Sequence, residues 1–489
     1  MATTDAPASF LATGRGKITL TLLCAIAFLD FIDASIVNVA LPAMRQDLDF
    51  SVQDLQWVPS GYLLTYGGFM LLGGRLSDLL GRRRIVVAGT VLFSLSSIAG
   101  GLAQSSGMLV GARFAQGIGA ALMLPGTLSI LTTTFKEGGD RGKALGVWGG
   151  VAGGASAAGV LLGGLLTDGP GWRWVMLVNV PVCIIVIAGL FLLVEGDRRS
   201  AKLANFDVLG AILVTGGMLL LVYTIVKAPD VGWGAARTVG GLAGAAVILL
   251  AFLVNEQRGR DPLLPLSIFR IRGLGAADFT QLVALAGFLS MFFFLSLYME
   301  NVLGYSPLQT GSAYLPLCFG VGMAAGITSK LLPRTGSRPL MVVGLLLAAA
   351  GIYWLSRIPV DGEYLTDLLP GLMVTSFGLG LAFVSITAAA NANVPAGQAG
   401  IAAALLNASQ QLGGALGLAI LSAMSTARTH DLLADRKPAP EALTAGFSRA
   451  LLTGSIFIAV AAVVALRAAN TRGEVVEPAE AETEAVPVR

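Results

Sequence analysis

Asp30 and Asp33 lie three residues apart in the apolar stretch 18–41, and Arg113 interrupts the equally apolar stretch 108–131. Residues three apart on a helix share a face, so the two carboxyls are neighbours and disfavour double ionisation. If the stretch crosses a bilayer, a charged Asp near its middle costs roughly 2.5–3.5 kcal/mol. A carboxyl under that pressure is suited to carry a proton or another cation once per cycle. The plainer alternative is an Asp that hydrogen-bonds helix backbone or a neighbouring polar group. An unpaired guanidinium inside a span is also costly, so Arg113 needs a partner. Its plainer alternatives are a structural ion pair or a clamp on backbone carbonyls.

Other chemistries lack their residues. Cys24, Cys183 and Cys318 all lie inside apolar runs and read as small buried hydrophobes. The single histidine, His430, sits in a polar segment, so no His/Cys cluster could hold a metal. The sequence has no Walker-type phosphate loop to support ATP-driven work. No cofactor is expected, and neither an enzyme nor a nucleic-acid binder is indicated. An enzyme would need convergent nucleophiles or metal ligands, and a sensor would need a sizeable soluble output domain.

The elements that must position the three ionisable residues follow from composition. Of 489 residues, 55% are hydrophobic and 12% charged, against about 25% charged in soluble domains, and the mean hydropathy is +0.77. The charges cluster between long apolar runs. A hydrocarbon core of about 30 Å needs about 20 apolar residues per helix. Continuous runs such as 341–353 and 451–466 exclude the alternating strands of a membrane barrel. The expected fold class is therefore an all-α membrane protein. Its fourteen spans are 18–41, 55–74, 85–103, 108–131, 144–166, 174–194, 208–226, 239–254, 274–299, 311–331, 340–355, 368–390, 401–425 and 451–466. The first is expected to be an uncleaved anchor, because no small-residue cleavage site follows its apolar core.

Basic residues orient the chain. With an even number of spans and a cytoplasmic N-terminus, 22 of the 32 Lys and Arg residues fall on the cytoplasmic side. Nine fall outside, and Arg113 is the remaining one. Both termini are then cytoplasmic. The expected organisation is a cytoplasmic tail over 1–17, a six-helix bundle over 18–194, two inserted helices with flanking loops over 195–272, a second six-helix bundle over 273–467, and a disordered acidic tail over 468–489. A weak repeat supports the two halves. Gly74-Arg-Leu-Ser-Asp78-Leu-Leu-Gly81-Arg82 follows the second span, and Gly326-Ile-Thr-Ser-Lys330-Leu-Leu-Pro333-Arg334 follows the tenth. Paired six-helix halves are a common plan of secondary transporters.

Several motifs, in order, carry a family resemblance. The first of the two loops, continued by Arg83 and Arg84, resembles the loop signature of the major facilitator superfamily. Asp33-Ala-Ser-Ile-Val-Asn38-Val-Ala-Leu-Pro42 resembles the first-helix motif of its fourteen-span drug:proton antiporter branch, the EmrB/QacA type. Arg113-Phe-Ala-Gln116-Gly117-Ile-Gly119-Ala-Ala121 and Gly159-Val-Leu-Leu-Gly163-Gly164 resemble its fourth- and fifth-helix motifs. Trp172-Arg-Trp174, Asn179-Val-Pro181 and Asn407-Ala-Ser-Gln410-Gln411-Leu-Gly413-Gly414 also fit. One position departs: Val160 stands where the family has proline, which would bend the helix.

The resemblance implies a major facilitator fold arranged six plus two plus six. It also implies proton-coupled export of an amphipathic drug or antibiotic from the cell, through the plasma membrane, by alternating access. A narrow exporter of one natural product is the rival. Partners would be protons, the lipid bilayer and a small amphipathic substrate, for a chain acting as a monomer. Asp33 and Arg113, which lie in the matching motifs, would couple protons, together with Asp30, which lies outside the motif but shares the face of Asp33. Charge balance and the resemblance make Asp33 or Asp30, directly or through water, the partner of Arg113. Gly74, Asp78, Gly81, Arg82, Arg83, Arg141, Gly159, Gly163 and Gly164 would gate. Asp78 could accept from Arg82 and Arg141 and latch the cytoplasmic side. A bare topology signal explains the arginines but not Asp78 or the glycines. The cavity would be lined by Tyr62, Tyr66, Trp148, Phe288, Phe292, Tyr314 and Phe383, with Asn38, Gln116, Asn407 and Gln411 as polar handles. Aromatic walls suit lipophilic or cationic cargo.

Overall fold

The computed structural model describes residues 11, 13–135, 139–194, 207–259, 262–264, 266–392, 394 and 399–471. Every regular element among them is helical. In chain order these are α1 (Gly14–Asp47), α2 (Val52–Leu55), α3 (Trp57–Leu80), α4 (Arg82–Gly101), α5 (Ser106–Thr134), α6 (Gly139–Asp168), α7 (Arg173–Leu177), α8 (Asn179–Leu193), α9 (Val208–Val231) and α10 (Ala236–Arg258). The second half holds α11 (Leu274–Asn301), α12 (Pro307–Ala313), α13 (Leu315–Thr335), α14 (Ser337–Leu355), α15 (Leu369–Asn391), α16 (Ala399–Ala434) and α17 (Ala439–Ala465). Counting α7 with α8 and α12 with α13 as continuous, twelve helices of the described chain are long and apolar enough to cross a membrane. They occupy twelve of the fourteen expected stretches. The other two stretches coincide with α3 and α6, parts of whose side chains lie outside the described residues.

Local chemistry starts and stops these helices. Thr13 caps α1 by accepting from the Gly16 amide at 3.0 Å, and Ser105 caps α5 through the Met108 amide at 3.3 Å; such caps satisfy otherwise orphaned donors. Ser306 and Gln309 form a reciprocal capping box at the start of α12. Between α3 and α4 the chain turns at Gly81, whose φ of +100° a side chain would oppose.

Small residues set the packing, as expected where lipid supplies no hydrophobic drive between helices. A Cβ at Gly89 of α4 would stand 2.8 Å from the Gly119 carbonyl oxygen of α5. In the second half, one at Gly344 of α14 would stand 2.7 Å from the Gly378 carbonyl oxygen of α15. The α9–α10 hairpin packs through α9 on both α3 and α16, one helix from each half. The two halves also meet at the end where α1 finishes. There a Cβ at Gly164 of α6 would lie 2.7 Å from Leu308 Cα of α12, and Arg45 Nη1 reaches Asn301 Oδ1 at 3.5 Å.

At the opposite end, residues 468–471 are tied to the start of α14. The Ser337 amide donates to the Thr471 carbonyl at 2.9 Å, and Arg338 Nε donates to the Ala468 carbonyl at 3.0 Å. Residues 1–10, 195–206 and 472–489, which include much of the expected tails, lie outside the described residues.

Candidate functional site

The site forms where α1, α3, α4, α5 and α8 converge. Each helix contributes a polar residue to an interior that is otherwise apolar. Asp33 of α1 is fully buried. Its Oδ2 accepts from Arg113 Nη1 of α5 at 2.6 Å. Its Oδ1 accepts from Gln116 Nε2 at 2.9 Å and from Asn179 Nδ2 of α8 at 2.8 Å. All three neighbours donate, so both oxygens of the carboxyl serve as acceptors.

Arg113 is 1% exposed, among the largest fully buried side chains. Nε donates to the Val58 carbonyl of α3 at 3.0 Å, and Nη1 also donates to Gln116 Oε1 at 2.6 Å. Its guanidinium lies 4.3 Å from the centroid of the Tyr62 ring, a cation–π contact strengthened by the burial of both groups. Gln116 Nε2 donates as well to Ser97 Oγ of α4 at 2.9 Å.

Asp30, one turn earlier on α1, has different partners. Tyr62 Oη donates to Oδ1 at 2.7 Å and Tyr66 Oη to Oδ2 at 3.0 Å. Tyr62 therefore touches both groups, with its hydroxyl on Asp30 and its ring face on Arg113. Next to Tyr66, a Cβ at Gly67 would stand 3.0 Å from Gln411 Cβ of α16. The Asp30 cluster thus reaches the second half of the molecule.

The three residues expected from sequence to couple protons are together in space. Of the two candidate partners, Asp33 takes the direct ion pair with Arg113 and Asp30 takes the tyrosines. Sequence reasoning missed Ser97 and the Val58 carbonyl. It quoted Asn179 within a motif without giving it this role. A buried Asn opening a helix opposite a span with an Asp was the available signal.

The expected cavity residues divide into two sets. Tyr62, Tyr66, Gln116 and Tyr314 are buried, and each is hydrogen-bonded. Asn38, Trp148, Phe288, Phe292, Asn407 and Gln411 are half-buried, while Phe383 is 45% exposed. Asn38 donates to its own helix at the Ala34 carbonyl, 2.7 Å, and Asn407 does the same at Ala403, 2.9 Å. Phe288, Phe292 and Tyr314 make a continuous aromatic row, with ring centroids 5.2 and 5.0 Å apart. Tyr314 Oη lies 3.1 Å from Ser296 Oγ.

Of the expected gating residues, the side chains of Asp78 and Arg141 lie outside the described residues. A Cβ at Gly74 would make an ordinary 3.7 Å contact with Pro125. The close approach of α3 to α5 belongs instead to Gly73, where a Cβ would stand 2.8 Å from the Ala121 carbonyl carbon. Arg82 opens α4, and Arg83 Nη1 donates to the Val194 carbonyl at 2.8 Å. Gly159 packs on Ser35 and Gly163 on Ile36 of α1, a Cβ at Gly163 standing 2.8 Å from the Ile36 carbonyl oxygen. Gly164 faces α12 in the other half, and so does Val160, whose carbonyl lies against Gly311. Trp172 and Arg173 hold the end of α1, donating to Asp47 Oδ2 at 3.1 and 2.7 Å.

Comparison with known proteins bears on this arrangement. Residues 23–418 match the family model of the Major Facilitator Superfamily. The chain is 41% identical to the puromycin resistance protein of Streptomyces alboniger over 432 residues, which is 87% of this chain and 85% of that one. It is 38% identical to the cephamycin export protein of Amycolatopsis lactamdurans, over 84% of this chain and 85% of the relative. Among solved structures, a bacterial homologue of the human lysosomal transporter Spinster, inward-facing and occupied, superimposes with a TM-score of 0.65 at 16% identity. That match covers 93% of this chain and 97% of the other.

Proposed function

Because the chain belongs to the major facilitator superfamily, and its all-helical fold is that of the family, we propose that it is a proton-coupled exporter of small amphipathic antibiotics or related natural products. The reading places it in the fourteen-span drug:proton antiporter branch, as six plus two plus six helices in the plasma membrane. It acts as a monomer with both termini cytoplasmic, a transporter rather than an enzyme, and needs no cofactor beyond the proton gradient.

The observation that carries the reading is the buried Asp33–Arg113 pair. Protonation of Asp33 removes its charge and frees the guanidinium, which keeps the Val58 carbonyl and Gln116 Oε1 as acceptors. Gln116 and Asn179 then lose a charged acceptor and can repack. A proton at one oxygen is thereby converted into a change in how α1, α5 and α8 hold one another. On the proposed orientation the end sealed by Gly164 and Leu308 is the outer one, so the state is closed to the outside. Cargo would enter from the cytoplasmic side, along the row of Phe288, Phe292 and Tyr314.

Names of the two relatives, resistance to puromycin in one and export of cephamycin in the other, support antibiotics as the cargo class. They also favour a second reading, because each names one compound: export of a single natural product. Expression in an efflux-deficient host, scored against a panel of unrelated toxic compounds with and without a protonophore, tests both. Protection across several classes that the protonophore abolishes is expected. Protection against one compound alone would select the narrow reading, and protection indifferent to the protonophore would refute proton coupling.

A further inference from the structure

Besides Asp30 and Asp33, a further buried carboxyl lies in a membrane-spanning helix and has no role in the site described. Asp278 lies in the first turns of α11 and is 4% exposed. Both of its carboxylate oxygens are buried without a hydrogen-bond partner, the one such carboxyl among the described residues. Asp33, by contrast, has three donors and a guanidinium. Among the described residues, α1, α12, α15, α16, α17 and the turn at Leu266–Arg270 pack against α11, and none of them offers the Asp278 carboxyl a hydrogen bond.

The backbones of α11 and α16 are pressed together, with a Cβ at Gly413 falling 2.8 Å from the Leu282 carbonyl carbon and one at Gly417 falling 2.5 Å from the Ala286 carbonyl carbon. An unpaired charge in such a place is strongly disfavoured. The group must hold a proton or find a cation.

Its position is not isolated from the first site. Gln281 is three residues on and so shares its face of α11. Gln281 Nε2 donates to Gln410 Oε1 of α16 at 3.2 Å. The next residue, Gln411, packs on α3 beside Tyr66, its Cβ 3.0 Å from where a Cβ at Gly67 would stand, and Tyr66 donates to Asp30. Gln281 and Gln410 thus pair one turn from Asp278, and the neighbouring Gln411 lies against α3 of the first half. Both α11 and α16 flank that seam, α11 against α1 and α16 against α3.

We propose that Asp278 is a second proton-binding site, in the C-terminal half, which carries its proton in the state seen here and gives it up when the halves part and water reaches α11. The proposal rests on the reading of this chain as proton-coupled, for the second proton to serve transport. The site itself does not depend on that reading.

Infrared difference spectroscopy of the purified protein in lipid tests the site directly. The wild type is expected to show the carbonyl stretch of a buried protonated carboxyl, sensitive to deuterium. Asp278→Asn removes it, Asp278→Glu restores a shifted band, and Asp33→Asn leaves it in place. Because Asn mimics a neutral Asp, Asp278→Asn should melt at the wild-type temperature. A band that survives in the folded Asp278→Asn variant overturns the proposal. Should Asn fail to fold, loss of the band in folded Asp278→Leu supports the proposal, and its survival there overturns it. In proteoliposomes, with ethidium as the probe, the proton-to-ethidium ratio should fall by one in Asp278→Asn. An unchanged ratio overturns the transport role. Should the wild type move ethidium with no dependence on the gradient, the proton-coupling reading fails, and the infrared result still decides Asp278.

Discussion

Arg113 and Asp33 meet at 2.6 Å with 1% and 0% of their side chains exposed. Breaking a buried pair by removing one partner costs about 3–5 kcal/mol, because the other charge is left unpaired. Asp33→Asn and Arg113→Gln are each expected to lower the melting temperature in detergent. Combining them removes both charges and should recover most of the loss without recovering transport. A double variant no more stable than the weaker single would contradict the pairing.

Tyr62 links the two carboxyl environments, and its ring and hydroxyl can be separated. Tyr62→Phe keeps the ring over Arg113 and loses the hydroxyl on Asp30, at about 1–3 kcal/mol for a buried acceptor left short. Tyr62→Leu also loses the cation–π contact, a further 0.5–2 kcal/mol or so. The order wild type, Phe, Leu in unfolding by urea or heat is the expected result. Equal stability of Phe and Leu would show that the guanidinium does not depend on the ring.

How much of this was legible in the sequence differs by feature. The apolar stretches, the ionisable trio and the glycine motifs are local signals and can be read from residue type and spacing. Which carboxyl pairs with Arg113 is not local, since Asp33 and Asp30 are one turn apart and their partners are 32 to 146 positions away. Gly73 and Gly74 show the same limit at finer scale. Adjacent helical residues point about 100° apart, so sequence alone could not tell which glycine α5 approaches. Asp278 also lies inside the ninth expected stretch, and the sequence reading passed over it. Its want of a partner is a property of how α11 packs within the second half, which no local pattern encodes.

At the end where the halves meet, Gly164 has no space for a side chain, since a Cβ would stand 2.7 Å from Leu308 Cα. Gly164→Val should therefore disfavour this state. Spin labels on the facing ends of α6 and α12 are expected to report a longer distance, with efflux reduced and the fold retained. An unchanged distance distribution would remove Gly164 from the gate.

The aromatic row predicts a defect in cargo recognition without loss of coupling. Phe292 has ring neighbours at 5.2 and 5.0 Å. Removing such a contact is worth about 0.5–1.5 kcal/mol beyond area. Phe292→Ala should raise the KM for an aromatic cargo by roughly two- to twelvefold at an unchanged proton-to-cargo ratio. A changed ratio with an unchanged KM would move Phe292 from recognition to coupling.

The central claim is that a proton on Asp33 drives export, and accumulation of ethidium in everted membrane vesicles tests it most directly. With an imposed proton gradient the wild type is expected to accumulate the dye and to release it when the gradient is collapsed. Asp33→Asn, present in the membrane at wild-type amount, is expected to accumulate none. Undiminished gradient-driven uptake by Asp33→Asn would contradict the account.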